Sequence, residues 1–162
     1  MSGTRQVFTF FWRDASPFSQ WHPSVFEWRG QRFLCAEQSM MYGKAMLFGD
    51  EESAARILQA RTPKEHKALG RAVRGFEGSL WERERERIVY EGNHAKFTQN
   101  VALLEALRAT AGTRLVEASP LDRIWGVGLA EEDPRIQDPA RWRGLNLLGE
   151  VLTRLREDLS PR

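Results

Sequence analysis

The chain has 162 residues, 24 basic and 22 acidic, for a formal net charge of +2, with 41% hydrophobic and 28% charged residues. That length carries one domain with its own core, and the balanced charge, without any block of Lys and Arg, argues against bulk electrostatic binding of nucleic acid. No run approaches the roughly 18 apolar residues of a membrane span, the start lacks the apolar centre of a signal peptide, and the single cysteine, Cys35, has no internal partner, so a cytoplasmic, reducing setting is expected.

Residues 7–12 are aromatic and β-branched and predict a strand. Residues 14–20 are a turn-rich loop. Residues 26–33 alternate apolar and polar about Gly30 and predict a short hairpin. Helices are expected over 36–48 and 51–61. Thr62-Pro-Lys-Glu65 combines an N-cap, a first-turn proline and a capping-box Glu, which predicts a helix start. Ser79-Leu-Trp-Glu82 repeats the pattern and opens a long helix towards Phe97, and residues 101–110 continue helically after a break near Asn100. Residues 115–118 are strand-like. From 119 to 143 the chain reads as loop, with Gly126, Gly128, Pro134 and Pro139, although Trp125 and Trp142 argue against disorder. A long ordered loop in a compact domain is usually functional. Residues 144–159 predict an amphipathic helix with Leu145, Leu148, Val151, Leu152 and Leu155 inward. The expected fold is a mostly helical α+β domain with a few short strands, one unit over 1–162 with its core at about 8–158.

Ala36-Glu-Gln-Ser-Met-Met-Tyr-Gly-Lys44 carries the most telling pattern. Glu37 and Lys44 are about two helical turns apart, so they share a stripe with Met41 and Phe48 on an otherwise apolar segment. Charges are rarely taken out of water without a partner or a task, which predicts that this helix lines a cleft. A partly buried carboxylate there can act as general acid or base. Lys44 can neutralise a phosphate, orient Glu37, or attack a sugar aldehyde as an amine.

Other candidates are more ambiguous in isolation. Asp122 belongs to Glu117-Ala-Ser-Pro-Leu-Asp-Arg-Ile-Trp-Gly-Val-Gly128, which is either a turn-forming loop or a binding loop whose glycines let backbone approach a ligand. Trp81 reads as a core anchor or a stacking platform, and Asn146 as a cap or a phosphate site near a helix start. The alternating Glu-Arg tract at 82–87 is a solvated helical face. His22, His66 and His94 have no metal-ligand spacing with one another or with Cys35, and no histidine near Cys35 in sequence activates it, so neither a metal nor a catalytic thiol is expected.

Taken in order, Phe18-Ser-Gln-Trp, Ala36-Glu-Gln with Lys44, Leu69-Gly-Arg71, Trp81, Lys96-Phe-Thr-Gln-Asn100, the run from Glu117 to Gly128 and Trp142-Arg-Gly-Leu-Asn-Leu-Leu-Gly149 resemble the NADAR family, also called YbiA-like. The resemblance implies a mainly helical α+β N-glycosidase without a cofactor. Its implied substrates are phosphoribosylamino-pyrimidine intermediates of riboflavin synthesis or ADP-ribosylated guanine, free or in nucleic acid. Position by position, it implies that Glu37, Trp81 and Asp122 are catalytic and that Lys44 and Asn146 belong to the pocket. Two departures bear on substrate choice: Val127 stands where some members have an acid, and residues 130–140 form a longer insert.

Cleavage of a ribosylamine needs a carboxylate to stabilise the sugar cation or activate water, and a donor for the departing nitrogen. Glu37 or Asp122 takes the first task, with the other as partner; Trp81 stacks on the base or walls the pocket, Arg123 or Arg71 joins Lys44 in holding phosphate, and Trp125, Gly126 and Gly128 line the substrate. Three rivals stand beside this: a Lys44 Schiff-base route on the opened ribose, a non-catalytic ADP-ribose or nucleotide-binding module and, weakest given the balanced charge, a nucleic-acid-binding protein.

Overall fold

The computed structural model describes residues 6–161. Its centre is a helix, α1 (Ala36–Leu47), buried on nearly all sides, with Ala36, Met40, Met41, Tyr42 and Ala45 in the core. Around it pack α2 (Glu51–Gln59), α3 (Pro63–Arg71) and α4 (Gly78–Thr98). A helix covered on most sides has little solvated face on which to put charge, and Glu37, in its first turn, is 5% exposed.

Local chemistry sets several boundaries. Asp50 caps α2 by accepting Ser53 N–H (3.1 Å) and ties it to the α3–α4 turn by accepting Arg74 N–H (2.8 Å). Thr62 caps α3 as expected: its hydroxyl accepts Glu65 N–H (3.3 Å) and donates to the Glu65 carboxylate (2.8 Å). The Ser79 expectation is corrected, since α4 begins at Gly78 behind Glu77, and Ser79 already lies in the first turn, donating to Glu77 (2.5 Å). Asn100 breaks the chain before α5 (Val101–Arg108), donating to Lys96 O (2.8 Å) and Val25 O (3.0 Å).

Four short strands make two pairs. β2 (Phe26–Trp28) and β3 (Gln31–Phe33) form the expected hairpin. β1 (Phe8–Phe11) runs parallel to β4 (Arg114–Glu117), with Phe8 opposite Arg114 and Phe11 opposite Glu117. Phe11, Phe18 and Phe97 join this pair to the helices through ring contacts of 5.7 and 6.4 Å. Each such fully buried aromatic contributes about 1.5–3 kcal/mol by leaving water.

The last helix, α6 (Leu147–Asp158), packs on β4 and α4. It starts later than expected, because Leu145 N–H and Asn146 N–H bond to Arg123 O (2.9 Å) and Gly126 O (3.0 Å) in the preceding loop. Leu145 is therefore 58% exposed rather than inward, while Leu148, Val151, Leu152 and Leu155 are buried. The 119–143 loop is well built: two 3-10 turns, Pro134–Gln137 and Pro139–Arg141, fold under Trp142, whose indole donates to Ile136 O (2.8 Å). Val116, Val127, Leu129 and Ile136 form a second small apolar cluster there.

Candidate active site

Four segments meet at a cavity of two joined lobes, about 330 and 840 Å³. α1 supplies Glu37, Met40, Met41 and Lys44 to the smaller lobe. The loop after β4 supplies Asp122, Ile124 and Trp125 to both, and α3 supplies Lys67 and Arg71 to both. Glu117, at the end of β4, also faces both lobes. The Ser19–Trp21 stretch closes one wall and is pinned from two sides: Gln20 O accepts Glu37 N–H (2.9 Å), and the fully buried Lys96 ammonium donates to Ser19 O (3.1 Å).

Glu37 is 5% exposed, and among the described residues no side chain lies within ion-pair or hydrogen-bond distance of its carboxyl. Burial pushes its pKa up to about 7; the Lys67 charge opposes this and the Asp122 charge adds to it. Glu117 is pushed further, to about 8, by burial and then by Asp122 and Glu37, against Lys67. Its Oε2 is sealed from solvent without a hydrogen-bond partner. Lys44 is half-buried, and its pKa is lowered by burial and by Arg71, against the pull of Glu37. Its ammonium lies 4.9 Å from the Phe76 ring and 5.6 Å from that of Trp81. Asp122 is fixed by its own turn: Oδ1 accepts N–H from Ile124 and Trp125, both at 2.9 Å, and its own N–H donates to Ser119 (3.1 Å). The result is a pocket that sets carboxyl groups beside cations, with two of the carboxyls raised towards neutral pH, the range in which proton transfer is accessible.

The NADAR domain model matches residues 10–160. The chain belongs to the NADAR domain family. NADAR relatives include a protein named "N-glycosidase R617" from Acanthamoeba polyphaga mimivirus, 42% identical over 87% of this chain and 86% of that one. Another is "Protein irg-1" of Caenorhabditis elegans, 39% identical over 97% of this chain and 82% of that one. The fold matches the NMR structure of Escherichia coli YbiA with a TM-score of 0.76 and 26% identity, over 97% of this chain and 87% of that one.

Against the NADAR-based expectations, the structure brings Glu37, Lys44, Arg71, Asp122 and Trp125 to the smaller lobe, with Arg123 at the larger one. Trp81 reaches the site only through Lys44 and otherwise packs on the core. Asn146 is corrected as a pocket residue. It is fully buried with φ +53°, and its side chain accepts Glu117 N–H (3.0 Å) and donates to Leu115 O and Glu150 (both 3.0 Å). Nor does it cap α6 by a side-chain bond. Gly126 and Gly128 are also corrected: neither lines the cavity. A Cβ on Gly126 would lie 3.0 Å from Asp122 O and Glu117 O, and Gly128, at φ +69°, packs against Arg143 and Arg123. Both let the loop fold on itself rather than approach a ligand.

Sequence reasoning gave Glu117 and Trp21 only inside longer motifs, without a role of their own, and missed Lys67 altogether. The one available signal was Lys67 lying one turn before Arg71 on the same face of α3. The fold also places His66 beside Cys35, Nδ1 to Sγ 3.6 Å, which sequence distance hid. The other ring nitrogen bonds Ala60 O (2.9 Å), and burial pushes the Cys35 thiol up to about 11, so the pair is structural.

Proposed function

We propose that the protein is an N-glycosidase that hydrolyses the bond between ribose C1′ and the nitrogen of a base. The observation that carries this is Glu37: a buried carboxyl, unpaired among the described residues, facing a cavity shared with Asp122, Lys67 and Arg71. A residue retained only for stability would leave so buried an acid paired or replaced. In the proposed reaction Glu37 takes a proton from the attacking water, and Asp122 faces the positive charge that develops on the ribose. Lys67, Arg71 and Lys44 hold phosphate, with Arg123 serving the larger lobe. Trp21 and Trp125 provide flat walls for a base. The relatives named N-glycosidase support the reaction class.

The proposed substrates are a phosphoribosylamino-pyrimidine of riboflavin synthesis or an ADP-ribosylated guanine, free or in nucleic acid. The larger lobe, about 840 Å³, lies within the range of sites that hold whole small-molecule ligands. The deciding experiment is chromatographic detection of released base from both substrates. Glu37→Gln is expected to lower release by at least about 100-fold while substrate still binds. Equal release by variant and wild type would remove Glu37 from the mechanism. Absence of release by the wild type, with binding intact, would favour a nucleotide-binding module.

A second route has one observation behind it: burial lowers the pKa of Lys44, raising the share of its neutral, nucleophilic amine. Borohydride added during turnover traps a Schiff base if that route operates and leaves the protein unmodified if water attacks directly.

A further inference from the structure

Glu117 has no task in the mechanism proposed above, yet its placement is the most constrained of the cavity carboxyls. It ends β4, opposite Phe11 in the parallel pair. Its N–H donates to Asn146 Oδ1 (3.0 Å) and its C=O accepts Val127 N–H (3.0 Å), so the backbone is clamped on both sides. The side chain faces both lobes, with Oε2 shut off from water and lacking any donor. The groups facing it from neighbouring elements are Glu37 and Lys44 on α1, Lys67 and Arg71 on α3, and Asp122 and Arg123 on the loop. Arg13 and Asp14, after β1, line the larger lobe. A partly buried carboxylate with one oxygen sealed from water and lacking a donor, beside two other carboxyls, is an unfavourable ion, whereas a carboxylic acid with a proton to give suits the place. Asp122 is arranged differently, since one of its oxygens already accepts two backbone N–H groups.

We propose that Glu117 is the general acid of the cleavage, protonating the departing base nitrogen while Glu37 accepts a proton from the attacking water. The C1′–N bond breaks with its electron pair going to the base, which takes the Glu117 proton. The water oxygen bonds to C1′ and gives its proton to Glu37. Each turnover leaves Glu117 ionised and Glu37 protonated, and one proton passed between these neighbours restores both. The assignment rests on the N-glycosidase reading and completes it, because a poor leaving nitrogen needs a donor. The raised pKa values agree: a base near 7 and an acid near 8 leave a window in which one is ionised and the other is not. The carboxyls interact, so a pH profile reports the cluster as a whole.

The test is kcat against pH for base release by the wild type, Glu117→Gln and Glu117→Asp. Wild-type kcat is expected to fall above about pH 8. Glu117→Gln is expected to lose about 100-fold or more in kcat at neutral pH with KM within a few-fold, and to lack the alkaline fall. Glu117→Asp, which can still carry a proton, is expected to keep that fall and more of the rate. It decides the matter should the Gln variant melt well below the wild type. Unchanged kcat in Glu117→Gln, or an alkaline fall that survives it, overturns the acid assignment alone, provided Glu37→Gln remains inactive. A wild type that releases base from neither substrate overturns the N-glycosidase reading, and this assignment with it.

Discussion

Glu37 and Asn146 are both buried polar side chains, but they differ in what meets them. Glu37 has a cavity in front of it, whereas Asn146 has every side-chain bond directed at protein. If Glu37 is the base, it must be ionised to work, so kcat is expected to rise with pH through about 7 and this acid limb to vanish in Glu37→Gln. A limb unchanged in the variant would assign it to another group. For Asn146→Ala, two backbone groups of β4 lose their partners, and the expected loss is about 3 kcal/mol by urea unfolding. Activity per folded molecule should fall as well, since Asn146 fixes the backbone of Glu117. An unchanged unfolding midpoint with a raised KM would instead return Asn146 to the substrate.

Between elements, α6 approaches the backbone of β4 closely at the site's foundation. A Cβ at Gly149 would lie 2.2 Å from Leu115 O and about as close to the Asn146 amide. Gly149→Ala must push helix and strand apart, and is expected to destabilise by about 3 kcal/mol, read as a lowered melting temperature. The sequence made some elements legible and hid others for the same reason. Thr62 announces α3 because a capping box is completed within four residues, and Glu37 with Lys44 announce a cleft because their spacing lies on one helix. Ser79 shows the same capping pattern as Thr62 and misleads, since whether it is used depends on the chain entering at Glu77. The start of α6 misleads because residues 145 and 146 bond to a loop some twenty positions earlier. The roles of Glu117 and Lys67 and the Cys35–His66 pair escape notice because only the packing of β4 and α3 around α1 brings these residues to their neighbours.

Across the whole molecule, Glu37, Glu117, Lys96 and Cys35 give stability a distinctive dependence on pH. Folded Glu37 and Glu117 keep protons to about 7 and 8 that the unfolded chain releases near 4.5, so their contribution falls as pH rises through that window. Lys96, lowered to about 7 by burial, has lost in the folded state a proton that the unfolded chain keeps to 10.5, so its contribution rises with pH above 7. Cys35, held up to about 11, keeps in the folded state a proton that the unfolded chain releases near 9.0, so it opposes Lys96 above that pH. Urea midpoints are therefore expected to fall from about pH 6 to about pH 7, level off, and rise between about pH 8 and 9, with that rise absent in Lys96→Met. A monotonic profile would show that these groups are not buried in solution as described. The pairing of β1 with β4 has a further consequence for biosynthesis. The strand that holds Glu117 finds its partner far back in the sequence, at Phe8–Phe11, and its peg, Asn146, comes later still. Translation must pass Asn146 before the cleft can exist, so products interrupted between Asp122 and Asn146 carry the acids but no assembled pocket.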